Sequence, residues 1–208
     1  MPVRFIDHPL VSHKMGLLRK KDIDIQSFRE LTTEISAILT YEAVRDTVTE
    51  SCSIHGWSSE LTVRHIKDKR ITLLPILRAG LGMVNGALSM MPWARVSVMG
   101  IYRDEVTLQP VPYYENLVPN IADYTAIILD PMLATGGSVS ETVGILKKQG
   151  CRKIKGIFLV AAPEGVERLQ KDHPDFEIYA AALDEKLNDK GYILPGLGDA
   201  GDKIFGTY

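Results

Sequence analysis

The stretch Ala126–Ser140, AIILDPMLATGGSVS, determines the fold that this sequence predicts. Its first four residues, Ala126–Leu129, form a short continuous apolar run, which is typical of a parallel strand buried on both faces. Asp130 ends this run, and a turn of small residues, Ala134–Ser138, follows it. The stretch therefore predicts a strand, a turn and a helix, in that order.

The turn has the composition of a binding site for phosphate. Gly136 and Gly137 allow backbone N–H groups to converge on an anion, and the start of the helix adds partial positive charge. Thr135 and Ser138 add hydroxyl donors, and Ser138 with Glu141 has the spacing of a capping box. We call Thr135–Ser138 the phosphate cradle. The alternative is an ordinary strand–turn–helix unit, and the spacing alone favours neither interpretation.

The same stretch resembles the phosphoribosyl diphosphate (PRPP) motif of the type I phosphoribosyltransferases. The usual motif has two consecutive acidic residues, whereas here Pro131 follows Asp130. The run Asp130–Gly136, DPMLATG, is similar to the variant in uracil phosphoribosyltransferases. Ala134 stands where purine-salvage relatives carry an Asp that serves the purine ring. Both differences argue against a purine enzyme.

The composition is that of one soluble globular domain. The chain has 208 residues, of which 45% are apolar and 24% charged, and its net charge of −2 indicates no general affinity for nucleic acid or membranes. Cys52 and Cys151 have no metal-binding or redox spacing, as expected in a reducing cytosol. The first ten residues lack the apolar core of a signal peptide, and Arg78 interrupts the apolar stretch Leu73–Ala94. We therefore expect a cytoplasmic protein.

Strands alternate with helices from residue 71 to residue 182, which predicts an α/β fold with a parallel sheet and helices on both faces. The resemblance implies the type I phosphoribosyltransferase fold, with a flexible hairpin or flap at about 104–118. We expect a single domain, 1–208, in which 1–70 is a helical N-terminal part and 183–208 binds uracil. We call 183–208 the base segment. The predicted strands are Ile71–Ile76, Val96–Tyr102, Ala126–Leu129, Lys155–Ala162 and Phe176–Ala182.

Three helices are predicted before the first of these strands. Pro9 suits the first turn of a helix that runs through Leu18. A capping box at Ser27–Glu30 and apolar residues at helical spacing predict a long helix over 28–48, which we interpret as scaffold or subunit interface. Leu61 and His65 share a helical face, which predicts a short helix over Ser59–Lys67.

Arg78 follows the first buried strand and precedes a helix that Gly80 and Gly82 open. A guanidinium group at the end of a strand can hold a diphosphate with two parallel hydrogen bonds. Arg103, at the start of the flap, is similar to the second diphosphate-binding arginine of the resembled family. The family's flap closes over the active site, which would protect a cationic intermediate from water.

The base segment is rich in glycine but also carries apolar side chains that would be costly to expose. Its run Gly191–Asp202, GYILPGLGDAGD, closely resembles the uracil-binding segment of uracil phosphoribosyltransferases. The implied reaction converts uracil and PRPP to UMP and diphosphate. Backbone groups at Ile193, Gly198 and Ala200 would distinguish uracil from cytosine, because cytosine leaves some of them unpaired.

The resemblance assigns the remaining roles residue by residue. The implied PRPP-binding set is Arg78, Arg103, Asp130, Pro131, Met132, Leu133, Ala134, Thr135, Gly136, Gly137, Ser138 and Asp199. The implied uracil-binding set is Ile193, Gly198, Asp199 and Ala200, and Asp199 and Arg103 are the implied catalytic residues. Mg2+ would arrive mainly on PRPP, and no direct protein ligand for the metal is assigned. The proton of uracil could pass to Asp199, to water or to substrate oxygens.

Some members of the resembled family are activated by GTP and assemble as dimers or higher oligomers. The resemblance therefore implies a homo-oligomer here, with GTP as a possible allosteric activator, and no residue is assigned to a GTP site. Three other functions were weighed: an RNA-binding regulator, a transferase for orotate or a purine, and a P-loop kinase. The scattered basic residues argue against the first, the base segment and Ala134 against the second, and the lack of a GxxxxGK[ST] motif against the third. The histidines (His8, His13, His55, His65 and His173) lie outside all these motifs.

Overall fold

The computed structural model describes residues 3–103 and 110–207, without the side chain of Arg103. The helices are α1 (Pro9–Leu18), α2 (Ile25–Ala43), α3 (Leu81–Met90), α4 (Gly137–Lys148), α5 (Pro163–Asp172) and α6 (Ala200–Phe205). The strands are β1 (Val3–Phe5), β2 (Thr49–His55), β3 (Glu60–Ile66), β4 (Ile71–Leu77), β5 (Arg95–Val96), β6 (Val98–Arg103), β7 (Pro110–Asn116), β8 (Thr125–Leu129), β9 (Met132–Leu133), β10 (Lys153–Ala161), β11 (Glu177–Leu183), β12 (Lys186–Leu187) and β13 (Ile193–Leu194).

One sheet organises the molecule, with the strand order β1-β11-β10-β8-β4-β6-β7. Its pairs are parallel except for β6 with β7. The short strands β5 and β9 pair with β4 and β10. All five predicted strands are present, and the mostly parallel sheet is confirmed.

Two layers of helices cover the sheet because its central strands carry apolar side chains on both faces. Residues of α1, α2 and α3, such as Leu39, form one apolar cluster with Ile127. Residues of α4 and α5, such as Val143 and Leu169, form a second cluster with Ile128. Neighbouring residues of β8 thus point into opposite layers, as strand geometry requires. The prediction of helices on both faces is confirmed.

Strand β7 forms the edge of the sheet and runs antiparallel to β6. Pro110 and Pro112 lie in this strand, and proline is tolerated there because an edge strand does not need every backbone N–H for pairing. Residues 104–109, within the predicted flap, lie outside the described residues. The closure of the flap over the active site stays a prediction.

The predicted helix over Ser59–Lys67 is wrong. Strand β3 occupies this region and pairs with β2 in an antiparallel hairpin, with Thr49 opposite Ile66. The spacing of Leu61 and His65 suited a helix, but alternation over Leu61, Val63 and His65 suits a strand equally well. The partner strand decides between the two, and it is not visible in a local pattern.

Two predicted helix starts are also wrong. Helix α2 begins after Asp24, whose carboxylate accepts hydrogen bonds from Ser27 N (2.8 Å) and Ser27 Oγ (2.7 Å), and it ends at Ala43 rather than near 48. Helix α4 begins after Gly136, so Ser138 lies inside its first turn and is not the cap. Helix α1 begins at Pro9, as predicted. No helix among the described residues is long and apolar enough to cross a membrane.

Candidate active site

The candidate site lies at the carboxyl edge of the parallel sheet. Arg78 follows β4 and Asp130 follows β8, and these strands are neighbours. Ligands of open α/β sheets collect at this edge, because the loops that leave adjacent strands converge there. The fold therefore brings together the two loops in which the sequence predicted anion binding.

A break between β8 and β9 sets the position of Asp130. The Pro131 carbonyl accepts hydrogen bonds from both Leu159 N (3.1 Å) and Val160 N (3.0 Å), so the chain bulges before it pairs with β10 again. Asp130 Oδ1 accepts a hydrogen bond from Met132 N (3.1 Å). Burial raises the pKa of Asp130 to about 7, against the opposing effect of that hydrogen bond.

The phosphate cradle depends on two close backbone contacts. Gly136 has a φ of +72°, which favours glycine, and a Cβ atom there would lie 3.0 Å from the Gly165 carbonyl. A Cβ atom on Gly165 would lie 2.4 Å from the Ala134 carbonyl. The cradle is thus in close backbone contact with the first turn of α5. The N–H groups that open α4 have no partner within the helix and are available to an anion at the site.

Arg168 on α5 lies beside the phosphate cradle, and it was not identified from the sequence. Its Nη1 lies 3.3 Å from the position that a Cβ atom on Gly137 would take. Its Nε approaches Asp172 Oδ2 at 3.4 Å, a long contact for a hydrogen bond. An arginine beside the start of α4 adds positive charge where a phosphate would bind. Arg168 lies in an amphipathic helix outside the sequence motifs, so the sequence did not indicate that it lies near the cradle.

Arg78 contacts the base segment. Its Nη2 lies 3.0 Å from Asp202 Oδ1, its Nη1 lies 3.4 Å from Thr207 Oγ1, and its guanidinium group lies over the Phe205 ring. Hydrogen bonds from Thr207 and Arg78 lower the pKa of Asp202. The loop that follows β4 and the base segment are therefore in direct contact.

The base segment leaves the sheet after β11 and closes with α6. Asp199 caps this helix, since its Oδ1 accepts a hydrogen bond from Asp202 N at 2.9 Å. The glycines Gly196 (φ +65°) and Gly198 (φ +74°) reverse the chain between β13 and α6. These turns place backbone groups of Ile193 and Gly198 at the cavity described next.

A cavity of about 290 Å3 joins the three loops. Its walls are Ala79, Asp130, Met132, Ala134, Lys190, Gly191, Tyr192, Ile193, Gly198, Asp199, Ala200 and Gly201. Seven predicted site residues lie together here: Asp130, Met132, Ala134, Ile193, Gly198, Asp199 and Ala200. Lys190 and Tyr192 line it as well, although the sequence interpretation gave them no role.

The other predicted residues lie outside this wall. Pro131 and Leu133 are buried, and the Leu133 side chain packs in the core. Arg78 adjoins the wall through Ala79, and the phosphate cradle lies beyond Ala134 at the start of α4. The side chain of Arg103 lies outside the described part of the structure.

The described residues fit a magnesium ion that the substrate carries. Asp130 and Asp199 both line the cavity, while the described residues contain no group of three His, Cys, Asp or Glu side chains that could hold a metal ion. Magnesium in phosphate-binding sites is usually held by one or two carboxylates together with substrate oxygens.

The fold is that of the phosphoribosyltransferases. A hypoxanthine-guanine phosphoribosyltransferase from Bacillus anthracis superimposes with a TM-score of 0.51 and 10% identity, over 76% of this chain and 80% of that one. A hypoxanthine phosphoribosyltransferase from Trypanosoma cruzi, complexed with the product IMP, gives the same TM-score and identity over 79% of this chain and 76% of that one.

Closer similarity defines the family within that class. The structure of the AQ2163 protein from Aquifex aeolicus has a TM-score of 0.93 and 38% identity, over 99% of this chain and 98% of that one. The family model described as uracil phosphoribosyltransferase matches residues 5–207. The chain belongs to the uracil phosphoribosyltransferase family, and its activity is therefore that of a phosphoribosyltransferase, with PRPP and a nucleobase as substrates.

Proposed function

We propose that this protein converts uracil and PRPP to UMP and diphosphate, with Mg2+ bound to PRPP. In the reaction a bond forms between N1 of uracil and the anomeric carbon, the bond from that carbon to diphosphate breaks, and N1 loses its proton. The observation that carries the proposal is the cavity in which Asp130 and Ala134 face Ile193, Gly198 and Asp199.

The wall of the cavity supports uracil rather than a purine. Ala134 contributes no charged group to the wall that it lines. Ile193, Gly198 and Ala200 line the same cavity, and their backbone N–H and C=O groups would pair with the two oxygens and the imide N–H of uracil. Cytosine reverses part of this pattern, and buried polar groups left unpaired discriminate strongly between bases.

The ribose 5-phosphate would lie between Asp130 and the phosphate cradle. The cradle offers the N–H groups that open α4 and the Thr135 hydroxyl, and Arg168 adds positive charge beside Gly137. Asp130 would accept hydrogen bonds from the ribose hydroxyls. Held at both ends, the sugar has one face directed to the base, which lowers the entropic cost of the reaction.

The departing diphosphate would be bound by Arg78 and Arg103. Negative charge grows on this group as the bond to the anomeric carbon breaks, so cationic groups stabilise the transition state more than the bound substrate. Arg78 would exchange its contact with Asp202 for the diphosphate. When bound, Mg2+ neutralises part of the same charge on the diphosphate. We place Asp199 beside the reacting nitrogen of uracil, as the candidate proton acceptor.

The proposal includes assembly into a homo-oligomer and activation by GTP, as the family resemblance implied. The β2–β3 hairpin supports assembly, because it forms a two-stranded sheet of its own and Trp57 at its turn is fully exposed. Light scattering on the intact protein should give a mass above that of one chain, and Trp57→Ser should lower this mass or weaken association. A monomeric wild type would contradict this part of the proposal.

The direct test is nucleotide formation from magnesium-PRPP with uracil, cytosine, orotate, hypoxanthine and adenine in parallel, with and without GTP. UMP formed from uracil alone is the expected result. Equal use of another base would contradict the proposed specificity. No product with any base would overturn the proposed reaction.

A further inference from the structure

Gly196 is the point at which the base segment is attached to the body of the protein. Its N–H donates to Asp184 Oδ2 (2.7 Å), and its carbonyl accepts from Arg19 Nη1 (3.0 Å). Both polar groups of one buried backbone residue are thus satisfied by an ion pair between Arg19, at the end of α1, and Asp184, at the start of the base segment. The orientation of this peptide depends on two side chains.

The two side chains also bind each other. Arg19 Nη1 and Nη2 donate to Asp184 Oδ2 (2.9 Å) and Oδ1 (2.5 Å), which is the bidentate geometry of a strong ion pair. The Asp184 side chain is 4% exposed and that of Arg19 is 24% exposed. A pair this buried excludes most competing water, so its geometry is well defined.

Both members of the pair extend from rigid elements. Arg19 is the C-cap of α1, whose residues Val11, Met15 and Leu18 are buried in the core. Asp184 follows β11, and its N–H donates to the Ala161 carbonyl at 2.9 Å. The pair therefore connects the core on both sides to a loop that contains little regular structure.

Gly196 lies close to Ile193 and Gly198, whose backbone groups we assign to base recognition. A Cβ atom on Gly196 would lie 2.2 Å from the Ile193 carbonyl, so these two residues are in close backbone contact. Gly198 follows two residues later. Ile193 and Gly198 both line the cavity that we assign to the base, so a shift of Gly196 would move their backbone groups within its wall.

We propose that Arg19 and Asp184 are positioning residues for base recognition, because their ion pair holds Gly196 and thereby the backbone groups of Ile193 and Gly198 that contact the base. This inference rests on the proposed function for the identity of the base. Neither residue lines the cavity. They act through the loop and not on the substrate.

The test compares Arg19→Gln with the control Arg45→Gln, which breaks an exposed ion pair with Glu42 at the end of α2. Two properties of the intact protein are measured: amide hydrogen exchange across 184–198, and KM for uracil and for PRPP. Arg19→Gln should speed exchange in this segment and raise KM for uracil, each by about tenfold, with KM for PRPP within about twofold.

Two further variants separate positioning from simple destabilisation. Arg19→Lys keeps the positive charge but cannot donate two parallel hydrogen bonds to Asp184. Its KM for uracil should therefore lie between those of the wild type and Arg19→Gln. Asp184→Asn keeps the size of the side chain, and it should repeat the pattern of Arg19→Gln if the latter fails to fold.

Exchange and uracil KM equal to those of Arg45→Gln would overturn the inference, as would equal rises in both KM values. A wild type that forms no UMP would overturn the proposed function instead. Hydrogen exchange alone would then decide: faster exchange across 184–198 in Arg19→Gln supports the attachment, and unchanged exchange overturns it.

Discussion

The phosphate cradle and the base segment face one cavity, but they are built in opposite ways. The cradle is a junction between β8–β9 and α4, shaped by close backbone contacts with the first turn of α5. The base segment has little regular structure and depends on side chains from distant parts of the chain, such as Arg19 and Arg78. Phosphate binding and base recognition therefore depend on different contacts, so a substitution can alter one without altering the other.

The largest effect is expected in the cradle, from Gly136→Ala. Alanine at a φ of +72° is disfavoured by about 1–2 kcal/mol, and its Cβ would lie 3.0 Å from the Gly165 carbonyl. The shifted N–H groups should lower kcat/KM for PRPP by about 100-fold or more.

Gly144→Ala, on the same helix, is the matched control. A Cβ atom there meets nothing within 4 Å. It should raise stability by about 0.5–1 kcal/mol and leave kinetics unchanged. Similar kinetics for the two variants in a steady-state assay would show that the cradle does not hold the phosphate.

The next effect tests the base segment. Asp199→Asn should lower kcat by about 100-fold, because the charge beside the reacting nitrogen is lost. Folding should be intact, since asparagine caps a helix as well as aspartate does. Asp24→Asn makes the same change at the N-cap of α2 and should leave kcat unchanged. An unchanged kcat in Asp199→Asn, with a normal melting temperature, would remove Asp199 from the site.

A smaller effect is expected at the contact between Arg78 and the base segment. Arg78→Ala should raise KM for PRPP by about tenfold and KM for uracil much less, because the guanidinium group binds diphosphate. Asp202→Asn breaks the same ion pair but keeps Arg78, so KM for PRPP should stay within about twofold. Initial rates with each substrate varied in turn distinguish these cases. A larger rise in KM for uracil would assign Arg78 to the base side.

The smallest effect concerns stability and pH. The pKa of Asp130 is about 7 in the folded protein against 3.8 for the free group, so its neutral form favours folding, and this contribution is lost as the pH rises from about 4 through 7. The difference between these two pKa values sets an upper limit of about 4 kcal/mol on the contribution of Asp130 to the free energy of unfolding. Asp130→Asn should therefore melt a few degrees above the wild type at pH 8 and at the same temperature near pH 4, although it loses activity.

Asp68→Asn provides a control of opposite sign for the pH experiment. The hydrogen bond from Arg70 lowers the pKa of Asp68 to about 2, so its carboxylate favours folding at pH 8. This variant should melt at or below the wild-type temperature at pH 8. A gain for Asp130→Asn that is the same at both pH values would contradict a raised pKa for the Asp130 carboxyl group.

The same difference between the two regions explains what the sequence could predict. The apolar runs of β4 and β8 and the glycines of the cradle are local signals, and they predicted the sheet, its buried strands and the position of Asp130. The β2–β3 hairpin and the caps Asp24 and Gly136 were missed, because several local patterns fit those residues.

The contacts that hold the base segment were beyond any local pattern. Arg19 and Asp184 are separated by 165 positions in the sequence. Arg168 reaches the cradle from a different helix. Such pairs become visible only when the sheet brings the elements together. The family resemblance supplied the predicted base contacts, but not what positions them.

The central claim is that one nucleotide bridges the two regions, with its phosphate in the cradle and its base at Ile193 and Gly198. The most direct test is hydrogen exchange of the wild-type protein with and without UMP. The account predicts that UMP slows exchange both at the start of α4 and across 191–201, while the amino edge of the sheet is unaffected. Protection of only one region, of neither, or of the opposite edge would contradict it.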